Sequence, residues 1–311
     1  MSRIPTTIEE ATSAQGEFRA AGTDVQQRLR SGVSSGAVID LRRLTSLSGI
    51  SWNGQGRARI GALSSIASLA SDRELADAYP GLARSAAALA TPQIRAAGTV
   101  GGNLLQRNRC WYFRHPRTSC FKKGGNSCPA RDGNHLFSSC FDLGPCVAPH
   151  PSTLGMALLA YEAHVEVAGK GMRTVAALYG DGSDARRDHQ LGPQELLTFI
   201  LMPEPLAGER VAYFRAAARA AAEWPLAEAV VRLTVNGGRI AFARVAVGGV
   251  APIPLRREQV EAALVGQPAN TETMRRAASS AGDGVRPLPM TAYKVDVLCA
   301  TVQQALEHAL G

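Results

Sequence analysis

The sequence contains few aromatic residues and no long apolar run. Of its 311 residues, 5% are Phe, Trp or Tyr and 45% are hydrophobic. No stretch approaches the roughly 20 apolar residues of a membrane-spanning helix. The first residues, with Glu9 and Glu10 among them, lack the apolar core of a signal peptide. We therefore expect no membrane span and no export signal, which places the chain in the cytoplasm, or in the periplasm by co-export with a partner subunit.

The sequence also lacks the paired cysteines of the commonest metal sites. Structural zinc sites usually contain C-x2–4-C pairs, and ferredoxin-like sites contain C-x2-C-x2-C; neither pattern occurs here. The net charge is +8, but no helix-turn-helix, zinc finger or aromatic-interleaved basic stripe accompanies it. We therefore predict no nucleic-acid binding.

Five of the six cysteines nevertheless lie within one segment of the chain. They are Cys110, Cys120, Cys128, Cys140 and Cys146. In a reducing compartment, clustered cysteines indicate metal binding rather than disulfides. Because the spacing is wide and irregular, it leaves three alternatives open: a [4Fe–4S] cluster, a zinc ion, and disulfides or free thiols.

Two glycine-containing segments, residues 20–25 and 98–103, have the character of phosphate-binding loops. The first lies between a predicted strand and a helix predicted from Val25 to about Arg30. Glycine is suited to such loops because a Cβ would keep backbone N–H groups away from phosphate oxygens. The sequence therefore predicts a nucleotide cofactor close to the cysteine-rich segment.

The residue patterns predict a mixture of helices and strands. Residues 1–50 have the pattern of a small α/β unit in which Thr7 caps the first helix. Near the C-terminus, strands at 229–235 and 240–247 flank Asn236-Gly237-Gly238, a strong hairpin signal. Three helices are predicted after this hairpin, at residues 258–264, 271–281 and 292–310.

Four short motifs can be compared with known families. They are Ala21-Gly22-Thr23-Asp24, Ile60-Gly61-Ala62-Leu63, Gly98-Thr99-Val100-Gly101-Gly102-Asn103-Leu104 and His150-Pro151-Ser152. In order and spacing they resemble the FAD-binding subunit of the xanthine dehydrogenase family, which includes the medium subunits of molybdenum hydroxylases such as carbon monoxide dehydrogenase. The resemblance covers nearly the whole chain.

A fifth motif, Gln106-Arg107-x-Arg109-Cys110, is more specific. It is similar to the start of an inserted loop in the subgroup that carries an additional [4Fe–4S] cluster. That subgroup includes the FAD subunits of periplasmic aldehyde oxidoreductase and 4-hydroxybenzoyl-CoA reductase.

The resemblance implies an α+β fold with two domains. Residues 1–178 would form a two-part FAD-binding domain of the vanillyl-alcohol-oxidase/PCMH type, with subdomains at about 1–50 and 51–178 and an iron–sulfur loop at 106–150. Residues 190–311 would form a C-terminal domain with an antiparallel sheet and helices. The polar, turn-rich connection between 180 and 193 is the predicted boundary.

The resemblance also implies the residues that bind the cofactors. The implied FAD contacts are Ala20, Ala21, Gly22, Thr23, Asp24, Val25, Thr99, Gly101, Gly102, Asn103 and Ser152. The implied cluster ligands are Cys110, Cys120, Cys128 and Cys146, which leaves Cys140 as a spare thiol. No catalytic residue is predicted, because flavin and cluster would carry the redox chemistry.

By the same resemblance, the chain is an electron-transfer subunit of a molybdenum hydroxylase. A molybdopterin-binding large subunit would oxidise an aldehyde or an N-heterocycle. A [2Fe–2S] small subunit would pass the electrons to FAD, which would release them to an external acceptor. The alternatives are a stand-alone flavin oxidase and a zinc- or disulfide-stapled binding module without enzymatic activity.

The charge of the cysteine-rich segment suggests an acidic, ferredoxin-like acceptor. Between residues 106 and 150 there are only two acidic residues, Asp132 and Asp142. Positive charge on such a surface would attract an acidic carrier. The basic residues in this segment are Arg107, Arg109, Arg114, Arg117, Lys122, Lys123 and Arg131.

Overall fold

The N-terminal unit is a small parallel sheet with two short helices. The computed structural model describes residues 2–219 and 222–311. The elements of this unit are β1 (Ser2–Arg3), α1 (Ile8–Ser13), β2 (Glu17–Arg19), α2 (Val25–Arg30) and β3 (Val38–Asp40). The strand order is β1-β3-β2. Thr7 caps α1 as predicted, because its hydroxyl accepts a hydrogen bond from the Glu10 N–H at 3.2 Å.

The second unit contains an antiparallel five-stranded sheet. Its strands are β4 (Ile50–Trp52), β5 (Ala58–Gly61), β6 (His164–Val167), β7 (Gly171–Thr174) and β8 (Leu197–Leu201). They pair in the order β4-β5-β8-β6-β7. The helices are α3 (Ile66–Ser71), α4 (Arg73–Ala78), α5 (Pro80–Ala88), α6 (Pro92–Ala97), α7 (Val100–Leu104), α8 (Trp111–Arg114), α9 (Pro129–Asp132), α10 (Thr153–Ala160) and α11 (Val175–Tyr179).

Strand β8 lies beyond the predicted domain boundary but completes the sheet of the second unit. Its residues Phe199 and Ile200 pair with Gly61 and Val165 on the neighbouring strands β5 and β6. The C-terminal domain was predicted to begin at residue 190, and the next sheet of the structure begins at Arg210. A polar connection marks a surface loop, but it does not reveal which sheet the following strand joins.

The C-terminal domain is an antiparallel sheet covered by helices. Its strands are β9 (Arg210–Ala217), β10 (Pro225–Asn236), β11 (Arg239–Gly248) and β12 (Leu255–Arg256), in the order β12-β11-β10-β9. Its helices are α12 (Glu258–Leu264), α13 (Thr271–Ser279) and α14 (Tyr293–Leu310). The predicted hairpin is present: Asn236 pairs with Arg239, and Gly237 and Gly238 have φ angles of 55° and 74°, a left-handed region that glycine adopts without strain.

The C-terminal sheet has an apolar face on each side, which joins the two domains. Side chains alternate between the faces of a strand. On β10, Val230 belongs to the apolar core of the FAD-binding domain, whereas its neighbours Ala229 and Val231 belong to the core formed with the C-terminal helices. The predicted α+β class and the sheet-plus-helices C-terminal domain are confirmed.

Across the described residues, no helix combines the length and the apolar character needed to cross a membrane.

Gly61 provides a test of the packing of β5 against the segment that precedes β4. A Cβ at this position would lie 2.2 Å from the Leu47 carbonyl oxygen. We therefore expect Gly61→Ala to lower the free energy of unfolding by about 3 kcal/mol through overpacking. Urea unfolding of the full-length chain measures this difference. The matched control is Gly54→Ala, where a Cβ would meet no atom within 4 Å; equal stability of the two variants would contradict the packing at Gly61.

Candidate functional site

A cleft of about 640 Å³ lies where the N-terminal unit meets the second unit. It is lined by both glycine-containing loops, although they are far apart in the sequence. Nine of the eleven residues predicted to contact FAD line this cleft. They are Ala20, Ala21, Gly22, Thr23, Asp24, Val25, Thr99, Gly101 and Gly102.

The second loop is held against the end of β5 by backbone hydrogen bonds. The N–H groups of Val100 and Gly101 donate to the carbonyl oxygens of Ser64 and Ala62 at 2.9 and 2.8 Å. A Cβ on Gly101 would lie 2.9 Å from the Ala62 Cβ. Glycine is therefore needed at this position so that the loop can lie against the sheet and form the floor of the cleft.

The two loops differ in the donors that they offer. In the first loop, within the described part of the chain, the N–H groups of Gly22 and Thr23 donate to no protein acceptor. Gly22 has a φ of 84°, which favours glycine. In the second loop, by contrast, the Gly102 N–H is taken by the Thr99 hydroxyl at 3.1 Å. The first loop therefore offers two N–H donors for a phosphate oxygen, whereas the Gly102 N–H of the second loop is already engaged.

Asn103 and Ser152 do not line this cleft, unlike the other predicted contacts. Both side chains are buried. The Ser152 hydroxyl donates to Asn103 Oδ1 at 2.8 Å and accepts from the Gly155 N–H at 2.9 Å. The pair therefore joins the second loop to the start of α10. Sequence motifs identified both residues, but a motif does not show which way a side chain points.

Asp24 connects the first glycine loop to the cysteine-rich segment. Its carboxylate lies 2.7 Å from Arg114 Nη2, 3.3 Å from Arg109 Nη1 and 3.1 Å from Arg28 Nε. It also accepts from the Arg107 N–H at 3.2 Å. Burial alone would raise the pKa of Asp24, but the guanidinium charges of Arg109, Arg114 and Arg28 outweigh burial and lower the pKa overall. The carboxylate is thus held ionised between the two segments.

The four predicted cysteine ligands line one small cavity, and Cys140 does not. Cys140 instead lies in the core of the C-terminal domain, where its Sγ is 3.7 Å from the Val250 carbonyl oxygen. Burial raises the pKa of Cys140 to about 11. The cysteines that line the cavity are Cys110, Cys120, Cys128 and Cys146.

The thiols of this cavity are close enough to influence one another. The Cys146 thiol and Cys128 share a hydrogen bond, which lowers the pKa of Cys128 to about 5 and raises that of Cys146. Burial raises the pKa of Cys110, and the nearby Cys128 and Cys120 add to this effect. Backbone N–H groups also point at the sulfurs, those of Val147 and Ala130 at Cys128 among them.

All six cysteines are free thiols in the structure. Among the described residues, no three or more His, Cys, Asp or Glu side chains converge on the position of a metal ion.

Asp188 links the cysteine cavity to the cleft, and the sequence analysis missed it. Its carboxylate accepts from Arg107 Nε at 2.6 Å, from Lys122 Nζ at 2.9 Å and from Asn108 Nδ2 at 3.3 Å. Arg107 lines the cleft, whereas Lys122 and Asn108 line the cysteine cavity. Asp188 is buried; burial opposes its ionisation, but the charges of Lys122 and Arg107 lower its pKa well below the ordinary range. Its position in a polar connection gave no sign of this role.

Most of the basic residues predicted to attract an acidic acceptor are paired inside the chain. Lys122 is the clearest case, because its side chain is only 4% exposed. Of the predicted basic surface, Arg117 is exposed and Lys123 is partly exposed. The residues held in ion pairs are Arg107 and Lys122 with Asp188, Arg109 and Arg114 with Asp24, and Arg131 with Asp142.

Two family models together match almost the whole chain. Residues 4–205 match the FAD binding domain in molybdopterin dehydrogenase. Residues 212–309 match the CO dehydrogenase flavoprotein C-terminal domain. The chain belongs to this family. It is thus an FAD-binding oxidoreductase subunit of a molybdenum-containing dehydrogenase.

Characterised relatives of this flavoprotein subunit cover most of its length. It is 31% identical over 274 residues to the aldehyde oxidoreductase FAD-binding subunit PaoB of Escherichia coli K12, with 84% of each chain covered. It is 27% identical over 286 residues to the carbon monoxide dehydrogenase medium chain of Afipia carboxidovorans, with 88% of this chain and 81% of the relative covered.

Solved structures show the same fold. Carbon monoxide dehydrogenase from Hydrogenophaga pseudoflava superposes with a TM-score of 0.77 at 24% identity, covering 99% of this chain and 96% of the other. Quinoline 2-oxidoreductase from Pseudomonas putida 86 gives a TM-score of 0.76 at 20% identity with the same coverage.

The Asp188 contacts predict a loss of stability on substitution. Asp188→Asn leaves the charges of Lys122 and Arg107 without their counter-charge, so we expect the free energy of unfolding at pH 7 to fall by about 3 kcal/mol. Because the folded-state pKa of Asp188 is lowered, its contribution is present above the ordinary carboxyl pKa of about 4 and is lost as the pH falls below it. The difference between wild type and variant should therefore shrink in acid.

Urea unfolding at several pH values measures this effect. Asp142→Asn is the matched control, because Asp142 and its partner Arg131 are 30% and 29% exposed and such a pair contributes at most about 1 kcal/mol. A loss for Asp188→Asn as small as that of the control would contradict the described junction.

Proposed function

We propose that this chain is the FAD- and [4Fe–4S]-carrying electron-transfer subunit of a molybdenum hydroxylase that oxidises an aldehyde or an N-heterocycle. The observation that carries the proposal is the junction at Asp188, where residues of the flavin cleft and of the four-cysteine cavity meet on one carboxylate. When bound, FAD accepts and releases electrons singly or in pairs and a [4Fe–4S] cluster does so singly.

The residues of the cleft fit FAD. The free N–H groups of Gly22 and Thr23 would donate to the pyrophosphate, and Gly101 and Gly102 would let the second loop approach it closely. Asn103 and Ser152 would act on the cofactor only by positioning that loop. The remaining wall of the cleft consists of Ala20, Ala21, Asp24, Val25 and Thr99.

The residues of the cysteine cavity fit an iron–sulfur cluster better than a single zinc ion. Four thiols line the cavity, but no group of ligands among the described residues converges on one ion position. A cubane holds its ligand sulfurs farther apart than a single ion does, so it suits thiols that surround a cavity. Cys110, Cys120, Cys128 and Cys146 would bind the cluster as thiolates.

The proposed partners are a molybdopterin-binding large subunit and a [2Fe–2S] small subunit. The relative PaoB belongs to an aldehyde oxidoreductase, which supports an aldehyde substrate, and the fold is shared with quinoline 2-oxidoreductase, which acts on an N-heterocycle. The complex would work in the cytoplasm, or in the periplasm after co-export with a partner subunit.

The proposed electron acceptor is an acidic, ferredoxin-like protein. After the internal ion pairs, positive charge remains at Arg117 and Lys123, which line a groove of about 510 Å³ beside the cysteine-rich segment. Lys122 lines the same groove, but it is bound to Asp188 and is not available to a partner. The attraction would weaken as salt increases.

An absorption spectrum of the anaerobically purified full-length chain tests the proposal. We expect flavin bands together with a broad iron–sulfur shoulder, and about four iron atoms per chain. Flavin bands without iron would contradict the cluster and favour a stand-alone flavin oxidase. A colourless protein that contains zinc or disulfides would contradict both cofactors and favour a binding module.

The positions of the thiols predict which cysteines the chain needs in order to retain iron. Cys146→Ser removes a sulfur from the four-cysteine cavity, so we expect the iron content of the chain to fall by more than half. Cys140→Ser changes a thiol in the C-terminal core and serves as the control, with iron content unchanged. Colorimetric iron analysis measures both variants, and a loss of iron only in Cys140→Ser would reassign the fourth ligand.

A further inference from the structure

Strand β10 of the C-terminal domain holds helix α10 of the FAD-binding domain at both ends. At the start of the helix, the Thr153 hydroxyl donates to both carboxylate oxygens of Glu228 at 3.0 Å. At its end, Arg232 Nη1 donates to the Ala160 carbonyl oxygen at 2.8 Å. Four residues of an antiparallel strand span about 14 Å, and a helix of 8 residues is about 12 Å long. One face of β10 therefore reaches both ends of α10.

The two polar side chains at the ends of α10 are buried and fully engaged. Glu228 and Arg232 are 1% and 4% exposed. Glu228 also accepts from the Tyr213 hydroxyl at 2.8 Å, and Arg232 Nε donates to Glu209 at 2.6 Å. Loss of one such bond leaves a buried polar group without its partner, which is costly. The helix is therefore fixed in one position along β10.

The start of α10 in turn holds the second glycine loop. The Ser152 hydroxyl, next to Thr153 in the chain, donates to Asn103 Oδ1 at 2.8 Å. Gln106 Nε2 donates to the carbonyl oxygens of Asn103 and Pro151 at 3.0 and 3.3 Å. Asn103 directly follows the two glycines of this loop that line the cleft. A displacement of the start of α10 would therefore move one wall of the cleft.

We propose that Glu228 is a positioning residue for FAD, which acts through Thr153 and Ser152 to hold the second glycine loop in its binding position. The inference rests on the FAD site of the proposed function. Among the described residues, none that lines the cleft follows Leu197. The C-terminal domain thus controls the affinity of the cleft for its cofactor without contributing to the wall of the cleft.

Titration of the flavin-free full-length chain with FAD tests the inference. Glu228→Ala removes the acceptor of the Thr153 hydroxyl, so we expect the dissociation constant of FAD to rise about five-fold. Thr153→Val removes the same bond from the other side and should have a similar effect. Because both changes break one connection, the double variant should bind FAD no more weakly than either single variant.

Glu228→Gln is the conservative variant. Its amide can accept from the Tyr213 hydroxyl and donate to the Thr153 hydroxyl oxygen. Burial raises the pKa of Glu228, although its hydrogen bonds and the charge of Arg215 oppose this effect, so a neutral amide is a close replacement. We expect this variant to bind FAD with nearly wild-type affinity.

Val230→Ala is the matched control for a general loss of stability. Val230 lies between Glu228 and Arg232 on the same face of β10, and its side chain belongs to the core of the FAD-binding domain. Its truncation leaves a cavity at the same interface and destabilises the fold, but it keeps the hydrogen bonds of Thr153. The dissociation constant of FAD should therefore stay at the wild-type value.

The outcomes separate the inference from the function on which it rests. Wild-type affinity in Glu228→Ala, or in Thr153→Val if the first variant does not fold, would overturn the positioning role and leave the FAD site intact. An equal loss of affinity in Val230→Ala, or effects that add in the double variant, would overturn it as well. Failure of the wild-type chain to bind FAD would overturn the FAD site itself.

Discussion

The structure depends on one partly buried carboxylate that holds the first glycine loop and the cysteine-rich segment together. Asp24 belongs to the first glycine loop, yet Arg109 and Arg114, two of the three guanidinium groups that bind it, come from the cysteine-rich segment. Buried charges of one sign are tolerated only when opposite charges and hydrogen bonds compensate for the lost hydration. The three arginines and the Asp24 carboxylate therefore stabilise one another and hold the start of the cysteine-rich segment against the first glycine loop.

Asp188 repeats this arrangement with other residues of the cysteine-rich segment. It binds Lys122 and Arg107, so the first part of the segment is attached to both Asp24 and Asp188. Two acidic residues thus hold four of the seven basic residues of the segment in internal ion pairs. Most of the basic residues that suggest a docking surface in the sequence form ion pairs within the chain. Among the described residues of this segment, Arg117 and Lys123 form none.

The sequence was sufficient for features that depend on local chemistry. The turn at Asn236-Gly237-Gly238 requires positive φ angles, and the glycine loops require close backbone approach, so single residues identify them. Features that depend on long-range pairing were not predictable. The partner strand of β8 and the direction of Asn103 are set by neighbours far away in the chain. Asp188 is an ordinary acidic residue in a polar connection, and only the fold places it beside two cations.

Hydrogen–deuterium exchange of the full-length chain, with and without FAD, tests most directly whether flavin cleft and cysteine-rich segment form one unit. If the Asp24 and Asp188 junctions couple them, FAD should slow exchange in residues 20–25 and 98–105 and also in residues 106–123, whereas the turn at 236–239 should not change. Slower exchange confined to the two glycine loops, with residues 106–123 unaffected, would contradict the coupling.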